Sequence, residues 1–307
     1  MRSSRRRRSG IGVGEVVLVL VLVIAVGLVV AMALPRGREK ARGATCENNL
    51  RQIGVALSLY AKATGHYPTV PAAESRGASP LAALLVELGQ ADFSRLGDPK
   101  SPPAKHANLP TGSRLIPGFL CPTDPEVRSG RFSTPLSYRV TAGSTPSGDN
   151  GPFAPGRLVT PEQVASGDGL SYTAACSERL LGTGRDGETS PRNYALVPGP
   201  IGPGDCPSSP LSALKGDAGM SWTDAGWRSS LYNHTIRPNA PAPCIADDGR
   251  TAKIGASSGH NGLVHVLLLD GGTRSFTSTI DPEVWKGWAN FQTEAKPTTT
   301  DVPKGSE

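Results

Sequence analysis

The sequence predicts an α+β chain: a long N-terminal α-helix, transmembrane in its first half, packed on an antiparallel β-rich head. Three observations lead there. Residues 16–34 form a run of 19 apolar residues without a charge. Leu50, Ile53, Leu57 and Tyr60 then recur at spacings of three and four, which puts them on one helical face. Finally, residues 263–269, Leu-Val-His-Val-Leu-Leu-Leu, are apolar on both faces and read as a central, covered strand.

Taken in order, residues 1–10 are a basic leader, 11–64 the N-terminal helix, 65–293 the head, and 294–307 a flexible polar tail. The apolar run spans about 28 Å as a helix, close to the thickness of a bilayer core. Gly65 and Pro68 end the helix. In the head, residues 81–88 carry short helical signals, and short strands alternate with turns from 121 to 210. Asn261-Gly262 precedes the strand at 263–269. Asp270-Gly271 follows it, and residues 273–277 alternate, which is a hairpin signal. Asp281-Pro282 supplies an N-cap and an N1 proline for a helix reaching about Gln292, able to bury Val284, Trp285, Trp288 and Phe291.

Gly (37) and Pro (28) make up about a fifth of the chain, below the roughly 25–30% that marks low-complexity disorder. The formal net charge of +6 misleads, because Arg2, Arg5, Arg6, Arg7 and Arg8 all lie in the leader. Without the leader the chain is close to neutral, so no nucleic-acid partner is expected. The cysteines Cys46, Cys121, Cys176, Cys206 and Cys244 form no CxxC pair, so zinc-site spacing is absent. Cys206 with Cys244 is the first candidate disulfide among connectivities that sequence leaves open. Five being odd, one thiol stays free or pairs with another chain.

The leader is short and basic, Gly10 ends it, and Glu15 stands at the edge of the apolar run. An acid there is costly in lipid and marks a functional candidate. This pattern resembles the type IV prepilin signal, with Ile11-Gly12-Val13-Gly14 in place of the usual Phe-Thr-Leu-Ile. The resemblance implies cleavage after Gly10 by prepilin peptidase and N-methylation of Ile11. It also implies that Glu15 pairs with the amino terminus of a like subunit during assembly. The implied location is the cytoplasmic (inner) membrane, single-pass, with the N-terminus in the cytoplasm and the head periplasmic or extracellular. Two other readings stand beside it: a secretory signal peptide cut near Ala31-Met32-Ala33, and a plain signal anchor. The first is disfavoured because an h-region runs only about 7–15 residues.

A second resemblance spans about residues 10–290. It rests on Cys46-Glu47-Asn48-Asn49-Leu50-Arg51-Gln52-Ile53-Gly54, Gly65-His66-Tyr67-Pro68, Cys121-Pro122-Thr123-Asp124 and Ser137-Tyr138. It continues through Asp168-Gly169-Leu170-Ser171 with Glu178, Tyr232-Asn233-His234, and His260 nine residues before Asp270-Gly271. In this order they resemble the bacterial prepilin-type proteins that carry domain of unknown function 1559, the H-x9-DG family. The resemblance implies a pilin-like fold and supplies no reaction.

His260 and Asp270 bracket one strand, roughly 23 Å long at 3.3 Å per residue, so they cannot share a metal through that strand alone. Turn roles are expected for His260, Asp270 and Gly271, and a hydrogen-bonded sheet role for His265. Gly182-Thr183-Gly184-Arg185-Asp186-Gly187 fits G-x-G-x-x-G, but Pro191 follows where a helix should open, so it reads as a loop. No nucleophile–base pair is visible, so no catalytic residue and no enzyme activity are expected. No cofactor or metal is expected either. Asp247 and Asp248 with Asp224 are the one oxygen-rich set that calcium could use. The function expected is a membrane-anchored, exported, pilin-like or pseudopilin-like structural protein. The alternative is an anchored extracytoplasmic binding module that does not polymerise.

Overall fold

The computed structural model describes residues 12–72, 77–90, 115–204, 206–207 and 209–291, with 29–36 described by backbone alone. The expected processing site, Gly10 and Ile11, and the expected tail at 294–307 lie outside the described residues. The chain divides into two units, Met1–Arg42 and Gly43–Glu307. Helix α1, Val13–Thr64, contributes residues to both.

In the first unit the apolar side chains face outward on every side of the helix: Val16 is 56%, Leu22 61% and Leu28 60% exposed. The Gly12 backbone N–H donates to Glu15 Oε2 at 3.2 Å, so a carboxylate sits at the positive end of the helix dipole. Among the described residues, no helix is long and apolar enough to cross a membrane. The membrane-spanning first half, and with it the single-pass membrane location, is thereby corrected. The apolar side chains described, residues 16–28, cover roughly 20 Å of helix against a hydrocarbon core of about 30 Å.

The second unit is built on two sheets. The first contains β1 (Tyr138–Thr141), β2 (Ala174–Glu178), β5 (Leu231–Tyr232), β8 (Leu263–Leu268) and β9 (Thr273–Thr277), in the order β5-β1-β2-β8-β9. The second contains β3 (Tyr194–Val197), β4 (Leu214–Lys215), β6 (Cys244–Ala246) and β7 (Ala252–Lys253), in the order β4-β3-β6-β7. Both are mixed. Strand β1 pairs antiparallel with β2 but parallel with β5. Likewise β3 pairs antiparallel with β4 and parallel with β6. The expected pilin-like architecture, with its antiparallel head, is corrected on this point too. Parallel pairs need long crossovers rather than tight turns, and a crossover leaves no local mark in sequence.

Cys46, Leu50, Ile53 and Leu57 of α1 are buried and join the main core with Phe119, Tyr138, Trp222, Trp285, Trp288 and Phe291. A Cβ at Gly54 would lie 2.8 Å from Leu267 Cδ1 and 3.3 Å from Gly271 Cα, so glycine there lets α1 close on the β8–β9 hairpin. In that hairpin Leu267 faces Thr273 and Leu263 faces Thr277. Gly271 takes φ +88°, and Asp270 Oδ1 accepts from Gly272 N–H at 2.8 Å.

Helix α2, Pro161–Ser166, opens with a capping box between Thr160 and Gln163. Helix α3, Pro282–Gly287, is capped by Asp281, whose carboxylate accepts from the Glu283 and Val284 N–H groups. It stops well short of Gln292, because Gly287 weakens the helix and Trp288 becomes its C-cap. The short helical signals over 81–88 correspond to one 3-10 turn, Ala82–Leu84, and further turns.

Candidate functional site

Four elements of the second unit meet at one buried point. Helix α1 brings Cys46, and the turn after the 3-10 segment Pro117–Phe119 brings Cys121. The end of β2 brings Glu178, and the loop before β8 brings His260. All four side chains are buried, and their donor atoms lie within 4.8 Å of one another. Cys46 and Cys121 form a disulfide with a Cα–Cα distance of 5.2 Å. His260 Nε2 donates to Glu178 Oε1 at 3.1 Å. Cys121 Sγ lies 3.6 Å from Glu178 Oε1 and 3.9 Å from His260 Nε2. The other carboxylate oxygen, Glu178 Oε2, accepts the His265 backbone N–H at 2.8 Å, which fixes the carboxylate's orientation.

A second layer holds the cluster in place. Asn49, one turn after Cys46, donates to the Leu120 carbonyl at 3.0 Å and to Tyr138 Oη at 3.2 Å. Thr123 Oγ1 sits 2.9 Å from Cys121 Sγ and 3.4 Å from His260 Nε2. The His265 ring packs edge-on to His260 with centroids 4.8 Å apart. His265 Nδ1 is 3.0 Å from Ser275 Oγ and 3.4 Å from Glu47 Oε1. Burial pulls the His265 pKa below the ordinary histidine value, and the Glu178 carboxylate partly opposes this.

A model of the family described as a protein of unknown function, DUF1559, matches residues 35–283. The chain belongs to this family. No curated protein and no solved structure matches the chain. The DUF1559 match covers all four cluster residues and the H-x9-DG residues His260, Asp270 and Gly271.

Within this DUF1559 chain the motif divides: His260 joins the buried cluster, while Asp270 and Gly271 stay in the hairpin turn. Cys206 and Cys244 are disulfide-bonded with Cα atoms 5.9 Å apart, and Cys176 is a buried free thiol whose pKa is raised by burial. Residues 182–187 are loop, tied down where Asn193 Oδ1 accepts the Thr183 N–H at 3.0 Å. Among the described residues, Cys46, Cys121, Glu178 and His260 form the one cluster of three or more His, Cys, Asp or Glu donors. Asp224, Asp247 and Asp248 are therefore outside any such set, and each accepts a local hydrogen bond: from Thr223 Oγ1, Gly199 N–H and Arg250 N–H. A cleft of about 670 Å³ opens elsewhere in the head, lined in part by Asp217, Asp224, Trp227, Arg228, Asp247 and Arg250.

Sequence reading missed Cys46, Cys121 and Glu178 as partners of His260. One signal was present: Cys46 lies one turn before Leu50 on the apolar stripe, which places it facing the core.

Protonation near this cluster has a measurable sign. Burial raises the Asp124 carboxyl from 3.8 to about 6, although it accepts the Leu181 and Glu126 N–H groups. His234, whose ring stacks on Trp285 at 3.6 Å, is lowered by burial to about 3. His234 stays neutral in the fold and takes up its proton on unfolding, so its contribution to stability is lost progressively as pH falls from about 6.5 toward 3. Asp124 works the other way: the native state holds the extra proton between 3.8 and about 6, so it favours folding as pH falls through that window. Asp124→Asn removes this opposing contribution. The melting temperature of the variant should fall more steeply than that of the wild type between about pH 6 and 4. Thermal unfolding across this range checks it, and parallel slopes contradict it.

Proposed function

We propose that this DUF1559 protein is an exported, pilin-like structural subunit that assembles with like copies through the apolar part of α1. The reading is carried by one observation: the large apolar side chains of residues 16–28 are all more than half exposed, around the whole helix. A helix that is hydrophobic all round is stable in water only when covered. Helices of like copies supply such a cover, and they leave Glu15, the charge at the N-terminal edge of that stretch, to pair with the amino terminus of a neighbour. The disulfides Cys46–Cys121 and Cys206–Cys244 suit an oxidising, exported setting.

In this reading prepilin peptidase cuts after Gly10, and mass spectrometry of the mature protein finds Ile11 at the N-terminus. Chemical cross-linking of the processed chain gives a ladder of multimers. Glu15→Ala should reduce that ladder at least about tenfold, the equivalent of a charge pair worth roughly 1.4 kcal/mol or more. A mature protein beginning at Met1, or a ladder unchanged by Glu15→Ala, would sink the proposal.

The cleft favours a second reading, in which the head also holds a small polar solute. Its lining joins Trp227 to three carboxylates and two guanidinium groups. A solute that raises the melting temperature of the wild type but not of Arg228→Ala would establish it.

A further inference from the structure

We infer that the Cys46–Cys121 pair, once reduced, forms with Glu178 and His260 a tetrahedral site for a divalent zinc-type cation. The donor set is two thiolate sulfurs, one imidazole nitrogen and one carboxylate oxygen, a combination zinc accepts. The spacing also suits it. With metal–sulfur bonds of about 2.3 Å and metal–nitrogen or –oxygen bonds of about 2.0–2.1 Å, tetrahedral donors lie roughly 3.3–3.8 Å apart. The existing separations are 3.1 Å for Glu178 Oε1 to His260 Nε2, and 3.6 and 3.9 Å from Cys121 Sγ to these two atoms.

The largest movement falls to the two sulfurs, because they are bonded to each other, while Glu178 Oε1 and His260 Nε2, 3.1 Å apart, part by only about 0.2 Å. Reduction breaks the sulfur–sulfur bond and lets the sulfurs part toward the tetrahedral spacing. Glu178 is already oriented by the His265 N–H on its second oxygen, which is how a ligand carboxylate is held in a formed metal site. Burial of all four side chains excludes the water that would otherwise compete for the cation.

The chemistry balances as follows. An external dithiol supplies two electrons and two protons to the Cys46–Cys121 disulfide and is itself oxidised to a disulfide. The two new thiols then lose one proton each to solvent as the cation binds. His260 gives up its hydrogen bond to Glu178 by losing the Nε2 proton to solvent and taking one up at Nδ1, a tautomer change that keeps the ring neutral and presents the Nε2 lone pair to the metal. The disulfide and the metal are thus mutually exclusive occupants of one site, and the redox state of the surroundings selects between them.

The test uses the full chain, oxidised or reduced with a phosphine, which leaves no competing thiol. It is titrated anaerobically with cobalt(II) as the spectroscopic probe and then with zinc. The reduced protein should bind one equivalent of cobalt, with sulfur-to-metal charge-transfer bands and the intense visible bands of tetrahedral coordination. Zinc should displace it, and the oxidised protein should show neither feature. The Cys206→Ala/Cys244→Ala variant should keep the bands, whereas Cys46→Ala/Cys121→Ala should lose them. His260→Ala should weaken cobalt binding at least about tenfold. Circular dichroism reports folding for each sample. Bands that persist in folded Cys46→Ala/Cys121→Ala, or a folded, reduced wild type without bands, overturn the inference. So does a reduced wild type that stays unfolded with zinc present, because a native-state site would draw the chain back to the fold.

Discussion

Replacing Cys46 and Cys121 together by alanine should lower the unfolding free energy of the oxidised chain by about 4 kcal/mol. The disulfide closes a loop of 75 residues, and loop-closure entropy for that length gives roughly this figure. The native contacts support a value of this size. The bond ties α1 to the turn that follows Pro117–Phe119, where Asn49 already donates to the Leu120 carbonyl. Both sulfurs are buried, so alanine also leaves unfilled volume beside Glu178 and His260. Urea unfolding monitored by tryptophan fluorescence measures the effect, because Trp222, Trp285 and Trp288 belong to the same core as Cys46. A loss below about 1 kcal/mol would mean that the unfolded chain is restrained by something other than this cross-link.

Trp285→Ala should cost about 3–5 kcal/mol, the range for deleting a large buried aromatic. Trp285 is fully buried. Its ring lies parallel to that of His234 at 3.6 Å and meets Phe276 edge-on at 5.4 Å. The indole N–H donates to the Ile236 carbonyl at 2.8 Å, and the Trp285 carbonyl accepts from His234 Nδ1 at 2.7 Å. Alanine removes the stack and leaves the Ile236 carbonyl unpaired, while the backbone bond to His234 can persist. The loss of His234's stacking partner should also be visible in its proton NMR resonances. An unfolding free energy within about 1 kcal/mol of wild type would contradict this packing.

Features written locally in the sequence were legible. The stripe of Leu50, Ile53 and Leu57, the strand at Leu263–Leu268 with the Asp270-Gly271 turn, and the Asp281-Pro282 cap each depend on residues a few positions apart. Features made by distant segments were not legible. Strand β5 has only two residues and pairs parallel with β1 across a long stretch of chain that contains β2, β3 and β4. The candidate site draws on positions 46, 121, 178 and 260, so no spacing rule joins its members. His260 illustrates the limit. Its distance from Asp270 along one strand separates those two residues, but it says nothing about Glu178, brought beside it by the pairing of β2 with β8. The N-terminal run shows a different limit. Hydropathy suggested a membrane span, while among the described residues no helix is long and apolar enough to cross one. The exposed apolar surface still calls for a cover, which helices of like copies supply in the proposed assembly.

Sedimentation velocity on the processed full chain, run beside a chain beginning at Gly43, addresses the assembly role most directly. The expected result is a multimer for the full chain, reduced by Glu15→Ala, and a folded monomer for the shorter one. A full chain that sediments as a monomer, with residues 16–28 intact, would contradict that role.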